Sequence, residues 1–300
     1  MSSPARLSVF RLSSTALGIA CGTGAAFCWA AGFVAARQGI EVGLTPADLA
    51  LHRFAWAGLF LLPLMLGGRA EGFGGIGWRR AIALTLAGGP PLAIISYSGF
   101  ILVPLGHGGV IQPSAAALFG LLYARVVLRE SLPRERLVGA AVIVIGLCVI
   151  GFEAISTIGR HGLLGDFLFV AAGCCFATFA MLVKLWHVPP ARATMIVSVV
   201  SLADIPIHWA LFGFDHMISL GFAENLMQAL AQGVLAGAGA IWLFARAVFL
   251  LGAARAAVFT ALVPLFTLLI GAAFLGEMPT LTQLAGLVVV LIGFRMAQRG

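Results

Sequence analysis

The sequence predicts an all-α, polytopic membrane protein of ten transmembrane helices, arranged as two inverted five-helix repeats. Three observations carry this reading. Mean hydropathy is +1.07 with 10% charged residues, whereas soluble domains hold about a quarter. Ten apolar runs centre near residues 26, 57, 91, 117, 143, 174, 202, 237, 265 and 289, each close to the ~20 residues that an apolar helix needs to cross the hydrocarbon core. The chain also matches itself at an offset of 147 residues. Strand-period alternation is missing, which argues against a barrel.

Taken in order, span one follows a polar amino-terminal stretch and has full spanning length, so no cleaved signal peptide is expected. It carries Cys21, Cys28 and Trp29. Span two opens on PADLAL at 46 and contains His52 and Arg53. Arg53 lies about 10 Å into its helix, and is expected to snorkel outward or to pair with Asp48 or Glu41. Span three is interrupted by AGGPP, residues 87–91, and followed by Ser96, Tyr97 and Ser98. Pro90 and Pro91 free carbonyls of the preceding turn, which lipid cannot satisfy, so Gly88, Gly89, Pro90 and Pro91 must face protein or water. Span four has His107 at its mouth and Gln112 and Ser114 beside Pro113; span five holds Cys148.

The second half repeats this order. Span six carries Cys174, Cys175 and Phe176, and span seven opens on PARATM at 190 with Asp204 and His208 at helical spacing, expected as an intrahelical pair. Span eight contains GVLAGAGA, whose Gly233, Gly237 and Gly239 form the second mid-membrane break or serve close helix packing. Trp242 follows, and Arg246 closes the span. All five cysteines fall inside spans without paired loop spacing, and read as packing residues rather than disulfides or metal ligands. No metal site or cofactor is expected.

Of the 18 Lys and Arg residues, all but Arg37, Arg53 and Arg160 fall on one side once the amino terminus is placed in the cytoplasm. The positive-inside rule then puts both termini in the cytoplasm. The basic balance is a topogenic signal, and no nucleic-acid partner is expected because no solvated domain carries a basic arm. The partners expected are the lipid bilayer and a small molecule, with the chain acting as a monomer.

The 147-residue offset superposes Leu128 on Leu275, Glu130 on Glu277, Leu137 on Leu284, Gly139 on Gly286 and Gly146 on Gly293. It also aligns Cys28 with Cys175, Trp29 with Phe176 and Arg37 with Lys184; a three-residue shift brings PADLAL onto PARATM. The repeats are read as residues 1–152 and 153–300, five spans each, and an odd number inverts the second. Inverted repeats with matching helix breaks are the plan of secondary transporters. Glu130 and Glu277 then sit at opposite membrane surfaces, each in the hairpin between the last two spans of its half, as helix-capping or ion-pairing residues or as gates.

PLFTLLIGAAFLGEMPTLTQLAGLVVVLIG, residues 264–293, resembles the signature hairpin of the EamA domain in the drug/metabolite transporter superfamily. PSAAALFGLLYARVVLRESLPRERLVGAAVIVIG, residues 113–146, resembles its partner copy. The resemblance implies a ten-helix metabolite transporter of the bacterial inner membrane, its cavity lined by spans one, three, four, six, eight and nine. Within the superfamily the chain is most similar to amino-acid exporters of the YddG type. That likeness implies aromatics lining the cavity at Trp29, Tyr97, Phe176 and Trp242, with Phe176 departing from an expected Trp.

The candidate substrate-binding residues are Trp29, Ser96, Tyr97, Gln112, Ser114, Phe176 and Trp242, an aromatic pocket with few polar contacts. The candidate hinges are Gly88, Gly89, Pro90 and Pro91 with Gly233, Gly237 and Gly239. No Asp or Glu stands near the middle of the six cavity-lining spans, so facilitative export of amino acids is expected. Purines, nucleosides, amphipathic drugs and proton coupling remain alternatives. An intramembrane enzyme lacks its motifs, since HExxH, GxSxG and paired intramembrane aspartates are missing. A scaffold leaves the repeat unexplained, and a channel would share this architecture.

Overall fold

The computed structural model describes residues 13–67, 75–129, 131–157, 159–251, 256 and 258–297. Glu130 lies outside them. Span one is Ser14–Glu41, span two Pro46–Gly67, span three Trp78–Gly88 plus Pro90–Leu102, span four Leu105–Val126 and span five Arg134–Thr157. Span six is Arg160–Leu185, span seven Pro190–Phe212, span eight Phe222–Leu251, span nine Phe259–Phe274 and span ten Leu281–Ala297. Spans one to four and six to eight are long and apolar enough to cross a membrane; spans nine and ten are shorter apolar helices, and span five has 24 residues. The chain is an all-α polytopic membrane protein. The bundle end that carries Ser13 and Ala297 is called proximal below, and the end with the hairpin between spans nine and ten distal.

The inverted repeat is written into the backbone. Among non-glycine residues described, only Arg129 and His187 have positive φ, at 54° and 53°. Arg129 stands 147 positions before Gly276, at φ 69°, and His187 stands 144 after Gly43, at φ 109°. Equivalent turns thus reuse the left-handed conformation at equivalent positions, even where a side chain makes it unfavourable. Spans two and seven both begin on the proline that follows, Pro46 and Pro190, where a missing N–H leaves no helical bond unmade.

Spans five and ten pack along each other through the repeated glycines. A Cβ on Gly293 would stand 2.8 Å from the Gly139 carbonyl, and one on Gly286 3.2 Å from the Gly146 carbonyl. The two contacts exchange under the repeat. Without a hydrophobic drive inside lipid, such backbone approach supplies the van der Waals contact that holds helices together. At the distal half, the Phe100 ring packs tilted against Phe169 at 4.9 Å and edge-on to Phe33 at 6.0 Å, joining spans one, three and six in a hydrophobic core.

Gly139→Val and Gly293→Val must therefore force the helices apart, at about 1–3 kcal/mol each by the usual cost of overpacking. Gly120→Val, at an open position, is the control. Thermal unfolding in detergent should drop for the first two and hold for the third; equal behaviour of all three would contradict this packing.

Candidate functional site

Spans three and eight each carry an irregularity. Span three stops at Gly88 and restarts at Pro90, with Gly89 extended at φ −106° and ψ −146°. Pro90 and Pro91 occupy the first turn of the new helix, where proline is tolerated. The Gly89 N–H still donates to the Thr85 carbonyl at 2.8 Å. A Cβ on Gly88 would meet the Phe179 ring at 2.7 Å, and one on Gly89 the Thr85 carbonyl, so only glycine fits the break. Span eight widens into a π-helical stretch, Ala229–Gly239, a rare form that recurs at functional sites. Gly233 and Gly237 lie there against Trp56 and Ala57 of span two.

Tyr97 joins the two irregular spans. Its buried hydroxyl donates to Gln232 Oε1 at 3.0 Å, while Gln232 Nε2 donates to the Gly32 carbonyl of span one at 2.8 Å. One residue earlier, the Ser96 hydroxyl donates to Gln112 Oε1 of span four at 2.5 Å. Ser114 donates back to the Val110 carbonyl at 2.7 Å, and Trp29 packs against Phe244 of span eight at 5.4 Å. Ser96, Tyr97 and Gln112 thus come together in one polar layer. Trp242 and Phe176 do not join it. Trp242 is 67% exposed and Phe176 47%; Trp242 lies more than two helical turns beyond Gln232.

Above this layer, the distal end is tied by charge. Arg37 Nε donates to Glu277 Oε1 at 2.6 Å and Nη1 to the Phe100 carbonyl at 2.6 Å, with Glu41 3.2 Å from Nη2. The other Glu277 oxygen accepts the Leu105 N–H at 2.8 Å, placing a carboxylate at the amino end of span four, where the helix dipole favours it. Gly276, in its left-handed turn, aims Glu277 there. Beside this seal lies a cavity of ≈ 510 Å³ whose lining includes Arg37, Glu41, His107, Glu153, Glu277 and Gln283.

Further polar bonds tie the spans together. His107 Nδ1 lies 2.8 Å from Asp166 Oδ1 of span six, and Thr280 donates to Glu153 Oε1 at 2.7 Å. Gln228 donates to the Ala35 carbonyl and to Gln38. His52 Nδ1 accepts the Trp56 indole N–H at 3.0 Å, so its proton sits on Nε2, which donates to Asn225 Oδ1.

Several pairings differ from those the sequence suggested. His208 lies 3.1 Å from Asp48 of span two, its closest carboxylate, while Asp204 of its own span is near enough to feel its charge. Asp48 is also engaged by the Thr45 N–H and by His216, so Arg53 does not pair with it; Arg53 Nη1 reaches Gln232 instead, at 3.5 Å. Gln228, Gln232, Asp166 and Glu153 did not stand out in the sequence. Their signal is a polar side chain inside an apolar run, which in lipid demands a partner.

The model of the EamA-like transporter family matches residues 16–152 and 163–297. An uncharacterised transporter from Archaeoglobus fulgidus is 27% identical over 284 residues, covering 90% of this chain and 95% of that one. A solved crystal structure superposes with a TM-score of 0.63 at 15% identity, over 93% of this chain and 96% of that one. The chain belongs to the EamA-like transporter family, and is a membrane transporter of small molecules.

A hydrogen bond to a charged group contributes about 1.5–3 kcal/mol. Glu277→Ala should therefore speed hydrogen exchange of the Leu105 amide about tenfold or more. Unchanged exchange would show that the seal does not hold span four.

Proposed function

We propose that this EamA-like transporter exports small metabolites, foremost aromatic and hydrophobic amino acids, by alternating access. Both termini are cytoplasmic and the distal end is external, as the basic residues imply. The observation that carries the reading is the Tyr97–Gln232 bond, which links the broken span three to the π-helical span eight directly beneath the Arg37–Glu277 seal. A carrier needs segments at mid-membrane that can bend and a seal that can be released. The breaks at Gly88–Pro91 and Gly233–Gly239 supply the first, the distal ion pair the second.

Transport driven by the solute's own gradient follows from the polar layer itself. Ser96, Tyr97, Gln112 and Gln232 offer donors and acceptors without a carboxylate to carry a proton. A proton-coupled reading has one observation in its favour. Asp166 and His107 are buried together, and Asp166 Oδ2 has no hydrogen-bond partner.

Counterflow in liposomes holding the purified chain separates these. Labelled L-phenylalanine and L-leucine should exchange saturably without a pH gradient at fixed potential, while labelled adenine and adenosine should not. Flux of the nucleobase alone would overturn the substrate class. Flux that needs the pH gradient and is lost in His107→Ala would replace gradient-driven export with proton coupling.

A further inference from the structure

Arg53 is the charge that the distal seal leaves unused. It enters span two seven residues after Pro46, roughly 10 Å along the helix. An arginine inside a membrane helix is costly, and is normally retained for a function or compensated by a partner. The carboxylates nearest in sequence are occupied: Asp48 by Thr45, His208 and His216, and Glu41 by Arg37. Among the described residues, Arg53 makes no ion pair.

Nor does the side chain turn to the interface. Nη1 stands 3.5 Å from Gln232 Oε1 of span eight, and 3.5 Å from where a Cβ on Gly32 of span one would lie. That places the guanidinium inward, among spans one, two and eight, beside the Tyr97–Gln232 bond. Gln232 offers it one shared, neutral acceptor and no charge. Its oxygen already takes the shorter Tyr97 bond, and its amide nitrogen is spent on the Gly32 carbonyl. A long contact to Gln232 Oε1 and the neighbouring Tyr97 hydroxyl, both neutral, leave the guanidinium without a countercharge. Arg53 as a whole is only half-buried.

We propose that Arg53 is the anchor for the carboxylate of the transported solute, with Gln232 and Tyr97 as positioning residues that hold the guanidinium at the level of the helix breaks. The assignment rests on the amino-acid reading above and narrows it. The group recognised at this point is the carboxylate, taken by the guanidinium fork in two parallel bonds. A free carboxylate arriving there restores the missing countercharge, so solute and protein each lose an unpaired charge within the membrane. A lysine, as a point charge, would keep the attraction and lose the paired geometry.

The test needs no variant at first. Counterflow of labelled L-phenylalanine in proteoliposomes is challenged with three unlabelled compounds: L-phenylalanine, hydrocinnamate, which keeps the carboxylate and lacks the ammonium, and L-phenylalaninamide, which does the reverse. The first two should compete, and the amide at least tenfold more weakly. Arg53→Gln should then bring the acid down to the amide's level, and Arg53→Lys should retain part of the difference. An amide that competes as well as the acid, or an Arg53→Gln chain that keeps the acid-over-amide ratio, overturns the assignment while leaving the transporter reading intact. Should Arg53→Gln not fold, the analogue ratio of the native chain decides alone. If the native chain shows no phenylalanine counterflow, the amino-acid reading fails and this assignment falls with it.

Discussion

The contact between Arg37 and Glu277 is the interaction on which the distal half depends. One guanidinium takes the Glu277 carboxylate, the Phe100 carbonyl at the end of span three and the Glu41 carboxylate of its own helix. The same Glu277 takes the first N–H of span four. Span one, the junction of spans three and four, and the hairpin between spans nine and ten are thereby fixed by two side chains. In water such a pair would contribute little; at the edge of a bilayer, with both partners only about a fifth exposed, no solvent stands ready to replace either one. Hydrocarbon packing below it, as at Phe33, Phe100 and Phe169, sets spacing but cannot fix rotation. Charge does that.

On the alternating-access proposal, the repeat supplies a reason why this interaction can be both firm and releasable. The offset that carries Glu277 to Glu130 carries Arg37 to Lys184, so the sequence holds the same two charges, with lysine in place of arginine, at the opposite membrane face. Spans five and ten, locked by the exchanging contacts of Gly139 with Gly293 and Gly146 with Gly286, form a fixed rib between the halves. The irregular spans three and eight lie away from it, with glycines where their neighbours approach most closely. Bistability of this kind needs two packings of near-equal free energy, and an ion pair at the surface shifts that balance without deep rearrangement.

Much of this was legible in the residues. Hydropathy located the ten spans, and the offset located the hairpin glycines, the paired prolines and Glu277 as an ion-pairing residue. The interruption of span three followed from Gly-Gly-Pro-Pro alone. Partner identity was not legible. Arg37 and Glu277 are 240 residues apart, and which face each helix turns to which neighbour is decided by tilt and rotation, to which hydropathy is blind. For the same reason the sequence leaves Arg53 to snorkel outward or to pair with Asp48 or Glu41, when the fold gives Asp48 His208 from span seven. Gln228 and Gln232 were hidden by their neutrality, although in lipid their amides need partners as surely as a charge does.

The central claim is that the Arg37–Glu277 pair is a gate, and the distance between its two elements tests it most directly. Spin labels placed at Val42, after span one, and Met278, in the exposed hairpin, report that distance by double electron–electron resonance in lipid nanodiscs. The account predicts a short distance with a minor longer population in the native chain, and a shift to the longer population in Glu277→Ala. A single, identical short distance in both chains would show that packing alone holds the distal end, and would contradict it.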